Sequence, residues 1–334
     1  MPGMPPHLST NTPITSRRGH FFVPGEITPT PAGTMLAGSM YVHWEAPAEP
    51  TTELPVILIH GGGGQGTDWL QTPDGRPGWV DRFVALGHPV YVVDRPGHGR
   101  SPRHPDLLGE ATPQFSYEFA EMLWAPSQQG EAQTQWLWGR EQGDPVIDQL
   151  VASGGSMSLN LAVSQALEGR QLSALLDIVG RSAIVTHSAG APGGWLLAAL
   201  RPELVAGIVA IEPMGPPFAD FPGVGSLAWG LTHAPIEYDP PVADPAELQQ
   251  PVPRVIPGLS EVPVVVVTSE TSWLGAAGAA TVEFLTSVGA AAELMHLPDL
   301  GIYGNGHGLI FEANSHETIK PVARWIQALP ATQL

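Results

Sequence analysis

Cysteine is absent from the 334 residues. That excludes a disulfide, a thiolate nucleophile and a cysteine-ligated zinc site, while either redox compartment tolerates such a chain. Positive charge is scarce too. Thirteen arginines and one lysine, Lys320, stand against 32 acidic residues, leaving a net charge of −18. A surface of that sign repels a nucleic-acid backbone and anionic lipid, so neither is an expected partner. Long apolar runs are missing as well. None approaches the roughly 20 residues of a membrane-spanning helix, so no membrane span is expected. The start, Met1-Pro-Gly-Met-Pro-Pro-His-Leu, lacks the basic residues and apolar core of a secretory leader. The cytoplasm is therefore the expected compartment, although a leader trimmed earlier would leave the same start.

What is present is a globular composition, 43% hydrophobic and only 14% charged, long enough to bury a large core. Residues 1–17 read as a loose arm and 18–334 as one domain. Two antiparallel edge strands are expected, from Gly19 and over Met35–Trp44. Short apolar runs then recur at Pro55–Ile59, Pro89–Asp94, 183–186, Leu204–Ile211, Val262–Thr268 and Ala291–Leu297. Helical spacing appears at Trp79–Leu86, 192–200 and Ser315–Ala328. Strands alternating with helices predict an α/β fold, a mostly parallel sheet covered on both faces. Two stretches break the rhythm, at about 105–175 and 213–260. Both leave from the carboxyl ends of strands, where such sheets place their ligand crevice. They read as caps over a site, carrying Phe115, Phe119, Trp124, Trp136, Trp138, Phe218, Phe221, Trp229 and Tyr238.

The chemistry concentrates at Thr186-His187-Ser188-Ala189-Gly190. A serine between small residues, after a buried strand and before a helix, fits a nucleophile elbow. The tight turn lifts the hydroxyl above the sheet, where a base and a substrate both reach it. Thr186 departs from the glycine usual at the first small position. A serine hydroxyl attacks only when a base takes its proton. The base is expected late in the chain. Of the two histidines after the last strand, His307 sits in the flexible Gly304-Asn-Gly-His307-Gly308, whereas His316 starts a helix and reads as solvated. His187 reads as structural and His296 as a core or interface histidine.

The acid has two candidates. Its usual place follows the strand at 262–268, where the chain reads Thr268-Ser-Glu270-Thr-Ser272-Trp273; a serine stands about where the aspartate is expected, and Glu270 comes two residues early. The rival is Glu212, at the tip of an apolar strand. A carboxylate there is costly without a partner, and a histidine or an arginine such as Arg95 would serve as one. An oxyanion hole needs two backbone donors. Ala189 follows the nucleophile, and Gly62 lies in His60-Gly-Gly-Gly-Gly64, where missing side chains allow close approach. That glycine run lacks the Gly-Lys-Ser/Thr of a phosphate cradle.

His60-Gly61-Gly62, Asp94-x-x-Gly97-x-Gly99-x-Ser101, the Ser188 elbow and the late His307 together resemble the α/β-hydrolase superfamily, over about 35–330. More narrowly, Glu212-Pro213, Gly304-Asn305-Gly306-His307 and Thr72-Pro-Asp-Gly-Arg-Pro-Gly-Trp79 resemble a bacterial serine esterase branch. In that branch the acid is a glutamate ending strand six, which implies Glu212 rather than Glu270. Some members carry adjacent cysteines after the His-Gly, where glycines stand here. The resemblance implies a carboxylic-ester hydrolase with Ser188, Glu212 and His307 as triad and Gly62 and Ala189 as oxyanion donors. It implies no metal or organic cofactor. The expected partner is a small hydrophobic ester, and homodimer formation is left open. A lactone, an amide or a carbon–carbon bond is the alternative target, and a silent ligand-binding relative the remote one.

Overall fold

The computed structural model describes residues 15–330 apart from 32, 50, 52, 126–130, 222–224 and 251. Eight strands form its central sheet: β1 (Ser16–Val23), β2 (Met40–Pro47), β3 (Val56–Ile59), β4 (Val90–Asp94), β5 (Ser182–His187), β6 (Val205–Ile211), β7 (Pro263–Thr268) and β8 (Ala291–His296). Their spatial order is β1-β2-β4-β3-β5-β6-β7-β8. β2 runs antiparallel to both β1 and β4, and every pair from β4 to β8 is parallel.

The inner parallel strands, β3 and β5 to β7, are short runs of mostly apolar, buried residues because both of their faces are covered. Val56 and Leu58 of β3 join one core with α1 (Trp79–Ala85) and α7 (Ser315–Gln327). Ile57 and Ile59 point to the opposite core, with α4 (Leu161–Val179) and α5 (Ala191–Leu200). α6 (Gly275–Ser287) buries Leu285 in that second core. The cap region adds α2 (Tyr117–Trp124) and α3 (Pro145–Ser153).

Three sequence expectations shift. Residues 1–14 of the expected arm lie outside the described residues, but β1 already begins at Ser16, paired with Pro47. The expected strand Met35–Trp44 is two elements, since Gly38 at φ +78° turns the chain between a small hairpin strand, Gly33–Ala37, and β2. The far end of the first insertion is scaffold. α4 packs Leu172, Leu175 and Leu176 into the core beneath the sheet, and its start, from Leu161 to Gln165, faces the crevice.

The Asp94–Ser101 segment is a turn built around the Asp94 carboxylate. The buried Asp94 carboxylate accepts from Gly66 N and Arg100 N, both at 2.7 Å, and from the Arg100 guanidinium. Gly99 lies at φ +50°, and a Cβ there would sit 2.6 Å from Asp94 Oδ2. Ser101 Oγ donates to Asp94 O at 2.6 Å and accepts from Tyr41 N at 2.8 Å, stitching β4 to β2.

Candidate active site

β5 ends at His187, and the chain reverses sharply at Ser188, which holds φ +53°. A non-glycine residue in that region carries strain of about 1 kcal/mol or more. Residues Ser188–Gly190 form one 3₁₀ turn that leads into α5. Gly190 is dictated by space, because a Cβ there would come within 2.4 Å of His60 O. Thr186 is accommodated for a similar reason. It faces Gly194 of α5, where a Cβ would meet Thr186 Cγ2 at 2.9 Å. The glycine missing from the elbow is thus supplied across the strand–helix contact.

His307 comes to this turn from the opposite end of the chain. Its Nε2 lies 3.0 Å from Ser188 Oγ, within hydrogen-bonding distance. Its Nδ1 lies 3.8 Å from Glu212 Oε2. That exceeds a hydrogen bond. Both atoms are buried and neither has another partner among the described residues, so a movement of under about 1 Å would join them, a tightening common on substrate binding. Glu212 follows β6 at φ +47°, the second left-handed non-glycine residue at this end of the sheet. Its other oxygen accepts Ser269 N at 2.6 Å, and Ser269 Oγ stands 2.9 Å from it.

The other sequence candidates fall elsewhere. Glu270 is exposed and its Oε2 accepts Gly304 N at 2.7 Å. Arg95 pairs with the buried Glu168 at 2.9 Å, not with Glu212. His316 is half exposed and lies 3.2 Å from Glu317. His296 is half-buried on β8, beside Thr268 Oγ1.

His187 has a larger part than a buried strand end. Burial, reinforced by nearby His307, holds its pKa well below 6.5, so the ring is neutral. Its Nε2 lies 3.0 Å from His307 O, which fixes the proton on that nitrogen as donor. The two imidazole centroids are 4.6 Å apart, and Trp124 of α2 stacks on His307 at 5.2 Å. Sequence reasoning missed these contacts, and it missed Ser269 as a partner of Glu212.

Ser188, His307, Gly62 and Ala189 open on one cavity of about 370 Å³. A Cβ on Gly62 would come within 3.2 Å of Ala189 Cβ, so the two residues are close neighbours at the cavity that Ser188 also lines. Both insertions contribute to the walls, Phe119, Trp124 and Met157 from the first, Met214 and Phe221 from the second. Trp136, Trp138 and Phe218 pack elsewhere, the first two against each other and Phe218 on Phe284. Trp229 and Tyr238 join a hydrogen bond from the Tyr238 hydroxyl to Trp229 O. The expected aromatic lining is thus confined to Phe119, Trp124 and Phe221, with Trp273 added from the loop after β7.

This fold and its crevice define a class. A family profile described as the alpha/beta hydrolase fold matches residues 55–229, and the chain belongs to that family. Over 315 positions it is 35% identical to a protein of a fungal species (strain ATCC 74256) called a probable secreted lipase, phiG, covering 86% of each chain. Among solved structures it is similar to one described as a novel bacterial esterase. The TM-score is 0.68 and the identity 23%, over 98% of this chain and 99% of that one. The cytoplasmic expectation draws no support from these likenesses, one of which is to a protein called secreted. Among the described residues no helix is long and apolar enough to cross a membrane.

Proposed function

We propose that the chain is a serine carboxylic-ester hydrolase that works through an acyl-enzyme on a compact apolar ester. The observation that carries this reading is His307 Nε2 at 3.0 Å from Ser188 Oγ, on a strained turn facing the cavity. Ser188 Oγ bonds to the ester carbonyl carbon as its proton passes to His307 Nε2. The carbonyl electrons move to oxygen, which the N–H groups of Gly62 and Ala189 receive. Collapse breaks the bond to the alkoxy group, which leaves as an alcohol with the proton from His307. Water then attacks the acyl carbon, giving up its proton to His307, and Ser188 departs with that proton. Glu212 orients the imidazole and stabilises its charged form. The relative called a lipase supports an ester as the bond cleaved.

Chromogenic short-chain esters, lactones and anilides, compared on one preparation, test the bond. Esters are expected to turn over fastest; faster lactones or anilides would overturn the ester assignment. Ser188→Ala is expected to lower kcat by roughly 10⁴-fold or more and to abolish labelling by a fluorophosphonate. A Ser188→Ala protein with parental activity would remove the nucleophile from this reading.

A further inference from the structure

The loop that carries His307 has no regular secondary structure, so the aim of the imidazole depends on what holds residues 304–307. Beneath the loop lies Glu312, fully buried, with four hydrogen bonds to its carboxylate. Gly306 N donates to both oxygens, at 3.0 and 3.1 Å. Asn305 Nδ2 donates to one at 2.7 Å, and Gln133 Nε2 to the other at 2.8 Å. A buried carboxylate persists only where donors replace its water, and here all donors lie beside the base or on the cap. The main chain of Glu312 is itself clamped. Arg76 donates to the carbonyls of Phe311 at 2.9 Å, Glu312 at 3.2 Å and Ala313 at 2.8 Å.

The same network reaches the ring of His307 from its other side. Gln133 Nε2 also donates to Trp124 O at 2.7 Å, and Trp124 stacks on the imidazole. Glu312 therefore touches the residue that precedes His307 and the residue that anchors its stacking partner. We propose that Glu312 is a positioning residue for the base, holding His307 toward Ser188 through Gly306 and joining the loop to the cap through Gln133. This rests on His307 being the base.

Glu312→Gln tests it, because every neighbour of the carboxylate is a donor. Whichever way the amide turns, its NH₂ faces Gly306 N and either Asn305 Nδ2 or Gln133 Nε2. Activity is read per active site, counted by fluorophosphonate titration, so that loss of folded protein does not register. The expected result with a chromogenic butyrate ester is kcat lower by about tenfold or more, KM within about twofold, and slower labelling of Ser188. Glu312→Asp, which keeps the charge on a shorter stem, is expected to recover part of kcat. Parental kcat and labelling rate in Glu312→Gln, or a change confined to KM, would overturn the proposal. If Glu312→Gln does not fold, Gln133→Met decides. Cutting the link to the cap lowers kcat with KM steady, and an unchanged kcat overturns the role. His307→Ala run alongside separates the two claims. If it keeps activity the assignment of the base fails, whereas an inactive His307→Ala beside a fully active Glu312→Gln defeats only the role of Glu312.

Discussion

Single residues decide the chemistry at this crevice, and the two carboxylates named by the sequence can be told apart by substitution. Glu212 is buried and faces His307 Nδ1, while Glu270 is exposed and holds Gly304 N. Glu212→Gln is expected to lower kcat by about 10⁴-fold, and Glu270→Gln to keep turnover near the parental level. The opposite result, read with the same ester substrate, would return the acid to the usual place after β7. Ser188, Glu212 and His307 were legible because each follows a strand or glycine loop that the apolar pattern marks. Ser269 and Glu312 were not. Ser269 acts on a carboxylate 57 positions away, and Glu312 gathers donors from residue 133 to residue 306. No local spacing encodes such contacts.

At the scale of the element, the elbow depends on a fit between β5 and α5. Thr186 fills space that Gly194 leaves open. Gly194→Ala is expected to cost about 1–3 kcal/mol in urea unfolding. In the double variant Thr186→Ala/Gly194→Ala most of that cost disappears, because the Cγ2 that the new methyl would strike is gone. Additive effects in that cycle would show that the contact is relaxed in solution. The turn after β4 has a comparable dependence on one side chain. Asp94→Asn leaves the Arg100 guanidinium without its charge partner and turns an NH₂ toward backbone donors, at an expected cost of about 3 kcal/mol or more. The inner strands were legible as apolar runs, and the turn at Gly38 was not, since Gly38-Ser39 is a two-residue interruption between the apolar stretches Met35-Leu-Ala and Met40-Tyr-Val.

For the whole molecule, the buried carboxyl of Glu312 links stability to pH. Burial, with the nearby charge of Glu212 adding to it, pushes its pKa from 4.5 up to about 7, against the pull of Gln133, Asn305 and Gly306. The folded chain therefore binds that proton more tightly than the unfolded chain. The resulting stabilisation is complete below about 4.5 and is lost as pH rises through about 7. Glu312→Gln has no such titration. The melting temperature of the parent relative to Glu312→Gln is thus expected to fall between about pH 5 and pH 8. Asp68, also pushed up to about 7 by burial, is common to both proteins and cancels. A constant difference would show that Glu312 does not titrate in that range.

The bonds from Ser269 N to Glu212 and from Gly306 N to Glu312 also set a clock. Both amides lie in irregular chain, yet each donates to a fully buried carboxyl group. Their deuterium uptake requires the crevice to open, not a loop to fray. They are expected to exchange as slowly as the amides of β6 and β7, and thus to report, residue by residue, how often the crevice comes apart.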